Sequence, residues 1–139
     1  MTDLLNAFKM HHIGCAVRSI SESAGTYANV MGFKNVSQVY ELSEIGINAC
    51  FIELNNGVFI ELIEPRGTDS IINNYLKKGI SYYHIGYMVD DIDALVKELL
   101  NKDFKEISSV YSPAFGNRKC VFMLTPELQM IELIDSGQN

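Results

Sequence analysis

The sequence contains no run of lysine and arginine, and basic residues are the minority in it. Eleven Lys and Arg stand against seventeen Asp and Glu over 139 residues, a net charge of −6. A nucleic-acid footprint needs clustered positive charge, so no nucleic-acid partner is expected. A polyanionic small ligand would have to find a local basic patch against an adverse mean field. Long apolar runs are missing too. No segment approaches the ~18–20 apolar residues that span a bilayer, so no membrane partner is expected. The opening MTDLLNAFKM lacks a basic stretch, an apolar core and a small-residue cleavage site, and reads as the start of a mature, cytoplasmic chain. Cysteine is scarce. Cys15, Cys50 and Cys120 are odd in number and far apart, which fits neither a disulfide framework nor a zinc knuckle and predicts three reduced, buried thiols.

What remains is ordinary globular composition, 47% apolar and 20% charged. A single domain over residues 1–139 is expected, long enough to fold without a disulfide or a metal. Within it lies a repeat. His12-Ile13-Gly14-Cys15-Ala16-Val17 recurs as His84-Ile85-Gly86-Tyr87-Met88-Val89, at an offset of 72. Ile60-Glu61-Leu62-Ile63 recurs as Ile131-Glu132-Leu133-Ile134, and Phe33-Lys34 as Phe104-Lys105, both at an offset of 71. Three matches in order at nearly one offset divide the chain into a module over about 10–65, a linker helix over about 70–79 and a module over about 80–135.

Each module reads as βαβββ, an α+β fold. Strands are predicted over about 10–17, 36–42, 47–54 and 57–64, and again over 82–89, 106–111, 118–124 and 128–134. Asn55-Asn56-Gly57 is a hairpin signal. Ser19 or Ser21 would cap a helix over 22–31. Ile92, Leu95, Val96 and Leu99 form one apolar stripe of a helix over 91–101. Asp69 or Ser70 would cap the linker helix, and Gly79 would end it.

The repeat keeps two polar residues inside otherwise apolar strands, His12 with its copy His84 and Glu61 with its copy Glu132. An ionised carboxylate in an apolar strand needs a partner. An exposed strand face or a hydrogen-bonded structural pair would explain one such glutamate. A pseudo-twofold would bring two His and two Glu together, a donor set suited to one divalent ion such as Ni, Co, Zn, Mn or Fe. His12 and Glu61 are 49 residues apart and His84 and Glu132 are 48 apart, in keeping with that pairing. Two carboxylates would neutralise the ion. Four ligands would leave two open positions for neighbouring substrate oxygens, and the ion would act as a Lewis acid on an enolate. His11 aligns with Tyr83, outside the repeated pattern, and is expected away from the ion.

With these residues in view, the chain resembles the vicinal oxygen chelate (glyoxalase/bleomycin resistance) superfamily, and within it the methylmalonyl-CoA epimerase-like branch. The likeness runs over about 10–134 and rests on HHIGCAV, FIELIEPRGTDSIINNYLKKG, YYHIGYMVDDIDAL and MIELID. It implies two tandem βαβββ modules forming a U-shaped mixed sheet around a central metal cleft, with His12, Glu61, His84 and Glu132 as ligands. It also implies a catalytic base at Glu44, in the turn SEIG before the third strand, and a second at Glu132. The implied reaction is proton abstraction alpha to a carbonyl, on methylmalonyl-CoA or a related acyl thioester, in a homodimer. A lactoylglutathione lyase acting on a hemithioacetal would use similar apparatus. A non-catalytic binding protein of the same fold and an extradiol dioxygenase are further alternatives. The segment AFGNRKCVFMLTPELQMIEL departs from the branch, with Phe115 and Thr125 where the epimerases carry histidine. Arg118 and Lys119 there would meet either an anionic group or a surface carboxylate.

Overall fold

A computed structural model describes residues 7–137. Packing divides the described residues into two units, one over His12–Tyr83 and the other joining residues 7–11 with residues 84–137. Strand β1 (Lys9–Ala16) therefore begins in the second unit and continues into the first.

In the first unit β1 is followed by α1 (Ile20–Gly25), β2 (Tyr40–Leu42), β3 (Ile47–Glu53), β4 (Phe59–Pro65) and α2 (Ile72–Lys77). The strands lie in the order β2-β3-β4-β1, with β1 parallel to β4 and the other neighbours antiparallel. The second unit carries β5 (Tyr82–Val89), α3 (Ile92–Leu100), β6 (Lys105–Ser112), β7 (Arg118–Leu124) and β8 (Met130–Asp135). Its order is β5-β8-β7-β6, again with one parallel pair, β5 with β8. The repeat thus reappears as one topology used twice.

Each sheet has one face under a helix, because alternate strand residues point to opposite faces. Cys15, Cys50, Ile52, Ile60 and Leu62 pack with Ile20 of α1. Val121, Met123, Ile131 and Leu133 pack with Ile92, Leu95, Val96 and Leu99, the apolar stripe of α3. On the opposite face of the first sheet, Ala16, Ala49 and Ile63 pack with Ile72 of the linker helix α2. All three cysteines are buried thiols. Among the described residues no helix is long and apolar enough to cross a membrane.

Three elements differ from expectation. The first helix starts at Ile20, because Ser19 caps it and its side chain accepts from the Glu22 N–H at 3.1 Å. It loses α geometry at Thr26–Val30, where Met31 N–H bonds to Thr26 O at 3.1 Å, a π spacing. Thr26 also turns its hydroxyl back to Glu22 O at 3.3 Å, a bond that competes with the regular ladder. The second strand is confined to Tyr40–Leu42. Upstream, Ser37 Oγ takes the Phe51 N–H at 2.8 Å, so a side chain replaces part of the backbone ladder. The linker helix spans Ile72–Lys77 with Ile71, not Asp69 or Ser70, at its N-cap and no side-chain cap; Ser70 Oγ accepts from the Ile72 N–H at 3.4 Å just before it. The signal at Asn55-Asn56-Gly57 is a tight turn with left-handed φ of 65° at Asn56 and 75° at Gly57.

Candidate metal centre

Each unit holds one buried histidine beside one buried glutamate. In the first, His12 Nε2 lies 3.0 Å from Glu61 Oε1. In the second, His84 Nε2 lies 3.3 Å from Glu132 Oε1. The residues are 0%, 5%, 4% and 4% exposed in the order His12, Glu61, His84, Glu132. Burying a carboxylate this deeply is costly without a cation or several donors.

Parallel pairing positions both pairs. Gly14, two residues after His12, is the register partner of Glu61, and Gly86, two after His84, is the partner of Glu132. Histidine and glycine therefore share one strand face, and the glycine puts no side chain beside the carboxylate. On the other side the equivalence continues. Phe51 stands opposite Glu61 and Phe122 opposite Glu132. Directly opposed residues share a face. The ring of Phe51 is edge-on to His12 at 5.8 Å, and that of Phe122 edge-on to His84 at 5.4 Å. Phe51 also meets Phe59 and Tyr40, each at 6.3 Å. Each imidazole–carboxylate pair thus sits against aromatic surface, which lowers the local dielectric and strengthens any charge interaction there.

Each buried His–Glu pair offers a metal ion one nitrogen and one oxygen donor. The donor chemistry of each pair fits such an ion: imidazole nitrogen and carboxylate oxygen are the ligands of nitrogen/oxygen-preferring divalent ions.

Glu44 occupies a short turn, Ser43–Ile45, between β2 and β3, and its side chain is exposed. Gly46 ends that turn with a left-handed φ of 68° and donates to Ser43 O. The turn is braced from outside, since Arg66 N–H donates to Gly46 O at 2.8 Å. The second unit has the same device at Pro113–Phe115, closed by Gly116 with φ 63°. There the central residue is Ala114, so one unit alone carries a carboxylate on this turn.

His11 is half-buried, with its ring edge-on to Phe115 at 5.4 Å. Lys119 Nζ lies 2.7 Å from Asp93 Oδ1, the surface carboxylate of the two alternatives for that residue. Burial pushes the Cys15 and Cys50 thiols above their ordinary range, which keeps them protonated and poor as nucleophiles. The reading from sequence missed Phe51 and Phe122. Their signal was present, for the two are 71 residues apart, the offset of the glutamates they face.

The chain matches the Glyoxalase/Bleomycin resistance protein/Dioxygenase superfamily over residues 11–122. It is 35% identical over 117 residues to the mitochondrial methylmalonyl-CoA epimerase of Dictyostelium discoideum, covering 83% of this chain and 69% of that protein. It is 30% identical over 120 residues to the human mitochondrial methylmalonyl-CoA epimerase, covering 85% of this chain and 67% of the relative. The chain thus spans about two thirds of the length of these relatives. A methylmalonyl-CoA epimerase solved with methylmalonyl-CoA and NH4+ superposes with a TM-score of 0.82 at 21% identity, covering 95% of this chain and 96% of that one.

Proposed function

The chain belongs to the glyoxalase/bleomycin resistance protein/dioxygenase superfamily, and from that premise we propose that it is a metal-dependent epimerase acting on an acyl thioester, with methylmalonyl-CoA as the first substrate to test. The observation that carries the reading is the pair of buried His–Glu contacts held in equivalent register, His12 with Glu61 and His84 with Glu132. The relatives named methylmalonyl-CoA epimerase supply the substrate class.

In this reading the two modules form one domain and both pairs serve one ion. His12 and His84 donate nitrogen; Glu61 and Glu132 donate oxygen and cancel the ion's charge. When bound, such an ion supplies Lewis-acid stabilisation of the negative charge that develops on a carbonyl oxygen. The chain's own groups do the rest. Epimerisation requires a proton to leave one face of the α-carbon and return to the other, so it needs a base on each face. Glu44 serves one face. Its turn has a counterpart in the second unit without a carboxylate, which gives the apparatus the asymmetry that two distinct faces call for. Glu132 serves the other face as ligand and base. Phe51 and Phe122 limit water around the pairs.

The test is to purify the protein, determine bound metal, and follow exchange of the α-proton of methylmalonyl-CoA in D2O by NMR. Metal-dependent exchange that disappears in His12→Ala is expected. Exchange that persists in His12→Ala and Glu132→Ala would overturn the metal mechanism. Turnover of methylglyoxal with glutathione, without thioester exchange, would assign a lactoylglutathione lyase instead. A protein with neither metal nor activity would be a binding module of the same fold.

A further inference from the structure

Arg18 and Lys77 line one cavity of about 320 Å³, whose wall is completed by Gly67, Thr68, Asn73 and Leu76. The lining contains two cations and no acid, in a chain whose net charge is −6. Two cations elsewhere in the chain do have a carboxylate beside them: Arg66 lies 3.4 Å from Glu41, and Lys119 2.7 Å from Asp93. Among the described residues Arg18 and Lys77 make no ion pair. Leaving two positive side chains together without a carboxylate costs like-charge repulsion, and an anion between them would relieve it.

The cavity lies where two parallel strands end. Arg18 follows β1 by two residues, and Gly67 and Thr68 follow β4. The loop is held in place, since Asn73 Nδ2 donates to Gly67 O at 3.0 Å and to Thr68 O at 3.3 Å. Gly67 has a left-handed φ of 84°, and a Cβ there would meet nothing within 4 Å, so the backbone is open at this point. A guanidinium fork, an ammonium and the Thr68 hydroxyl are a donor set for tetrahedral oxyanions. The volume is at the small end of the ~300–1,000 Å³ typical of ligand sites.

We propose that this cavity binds a phosphoryl group. Two sources share that chemistry: the phosphates at the far end of a coenzyme A thioester, which rests on the function proposed above, and a separate phosphorylated small molecule, which does not. The first measurement is calorimetric titration of the wild-type chain and of Arg18→Ala/Lys77→Ala with inorganic pyrophosphate at low and high salt. Both residues are exposed, so folding is not at stake. Saturable binding is expected, weakened roughly tenfold or more in the double variant and weakened again by salt. No binding to the wild type, or equal binding to both proteins, would overturn the site. This measurement needs no catalysis and stands if the epimerase reading fails. The second compares KM for methylmalonyl-CoA with KM for its truncated N-acetylcysteamine thioester, which lacks the phosphates. If the substrate supplies the phosphoryl group, the double variant loses the advantage of the full thioester over the truncated one. If that advantage survives while pyrophosphate binding is lost, the site belongs to a separate phosphorylated ligand.

Discussion

Phe122 stands directly across the β7–β8 pair from Glu132, and the edge of its ring faces His84 at 5.4 Å. Phe51 stands in the same relation to Glu61 and His12. A carboxylate, an imidazole and a phenyl ring therefore form one unit of structure, repeated at an offset of 71 to 72 residues. The ring contributes buried area and excludes water; the polar pair supplies the donors. A site built this way preorganises its ligands on strands, where neighbouring side chains fix their rotamers.

Truncating that ring should be felt in stability before anything else. Phe51→Ala removes a ring from a position 7% exposed, flanked by Phe59 and Tyr40. The expected loss is about 3 kcal/mol in urea unfolding, with Phe51→Leu losing about 1 kcal/mol. A loss in Phe51→Ala well under 1 kcal/mol would show that the aromatic wall is not packed around His12.

The metal proposal makes a separable prediction. Glu132→Gln keeps the volume of the side chain and removes its charge. Wild-type protein is expected to carry about one divalent ion per chain by elemental analysis, and the variant far less. Chelator should lower the wild-type melting temperature, since a ligand present at 100 times its Kd stabilises by about 2.7 kcal/mol. Equal metal content in the two proteins would remove Glu132 from the ligand set.

Much of this is legible in the sequence, because a repeat carries topology with it. Once His12 aligned with His84 and Glu61 with Glu132, the same strand order in both units followed, and the observed orders agree. The helix stripe of Ile92, Leu95, Val96 and Leu99 was equally plain, since four buried positions at helical spacing leave little choice of period. What escaped depended on competition between side chain and backbone. Nothing in periodicity says that the Ser37 hydroxyl will take the Phe51 N–H and leave β2 three residues long. Nor does it say that Thr26 will turn its hydroxyl back to Glu22 where the helix widens. The cavity of Arg18 and Lys77 was hidden for a different reason. Its two cations are 59 residues apart, one just past the end of β1 and the other at the end of α2.

The buried acids of the first unit predict how stability responds to alkali. Burial raises the Cys15 and Cys50 thiols above their ordinary value of 9.0, and raises Tyr75 above 10.0. The folded chain therefore holds these protons to higher pH than the unfolded chain does. As pH climbs past 9 the unfolded state ionises first and is favoured, so stability falls, whereas below pH 9 these groups contribute no slope. Urea midpoints measured from pH 7 to pH 11 should decline above 9, and Cys50→Ala should soften the decline. A flat profile to pH 11 would mean that burial does not penalise these thiolates.

Glu44 provides the sharpest test of the proposed chemistry, because it lies outside the ligand set. Its turn is closed by Gly46 and braced by the Arg66 N–H, and its side chain is exposed, so a substitution there orphans no buried partner among the described residues. Glu44→Gln should therefore leave metal content and melting temperature close to wild type. A positioned general base contributes about 10²–10⁴-fold to rate, and epimerisation should fall by that order. The isotopic outcome separates the two faces. If Glu132 serves the opposite face, the epimer whose α-hydrogen faces Glu132 should still exchange with D2O in Glu44→Gln, while its inversion is lost. Full inversion in that variant would show that Glu44 does not handle the proton, and loss of exchange from both epimers would show that one base serves both faces.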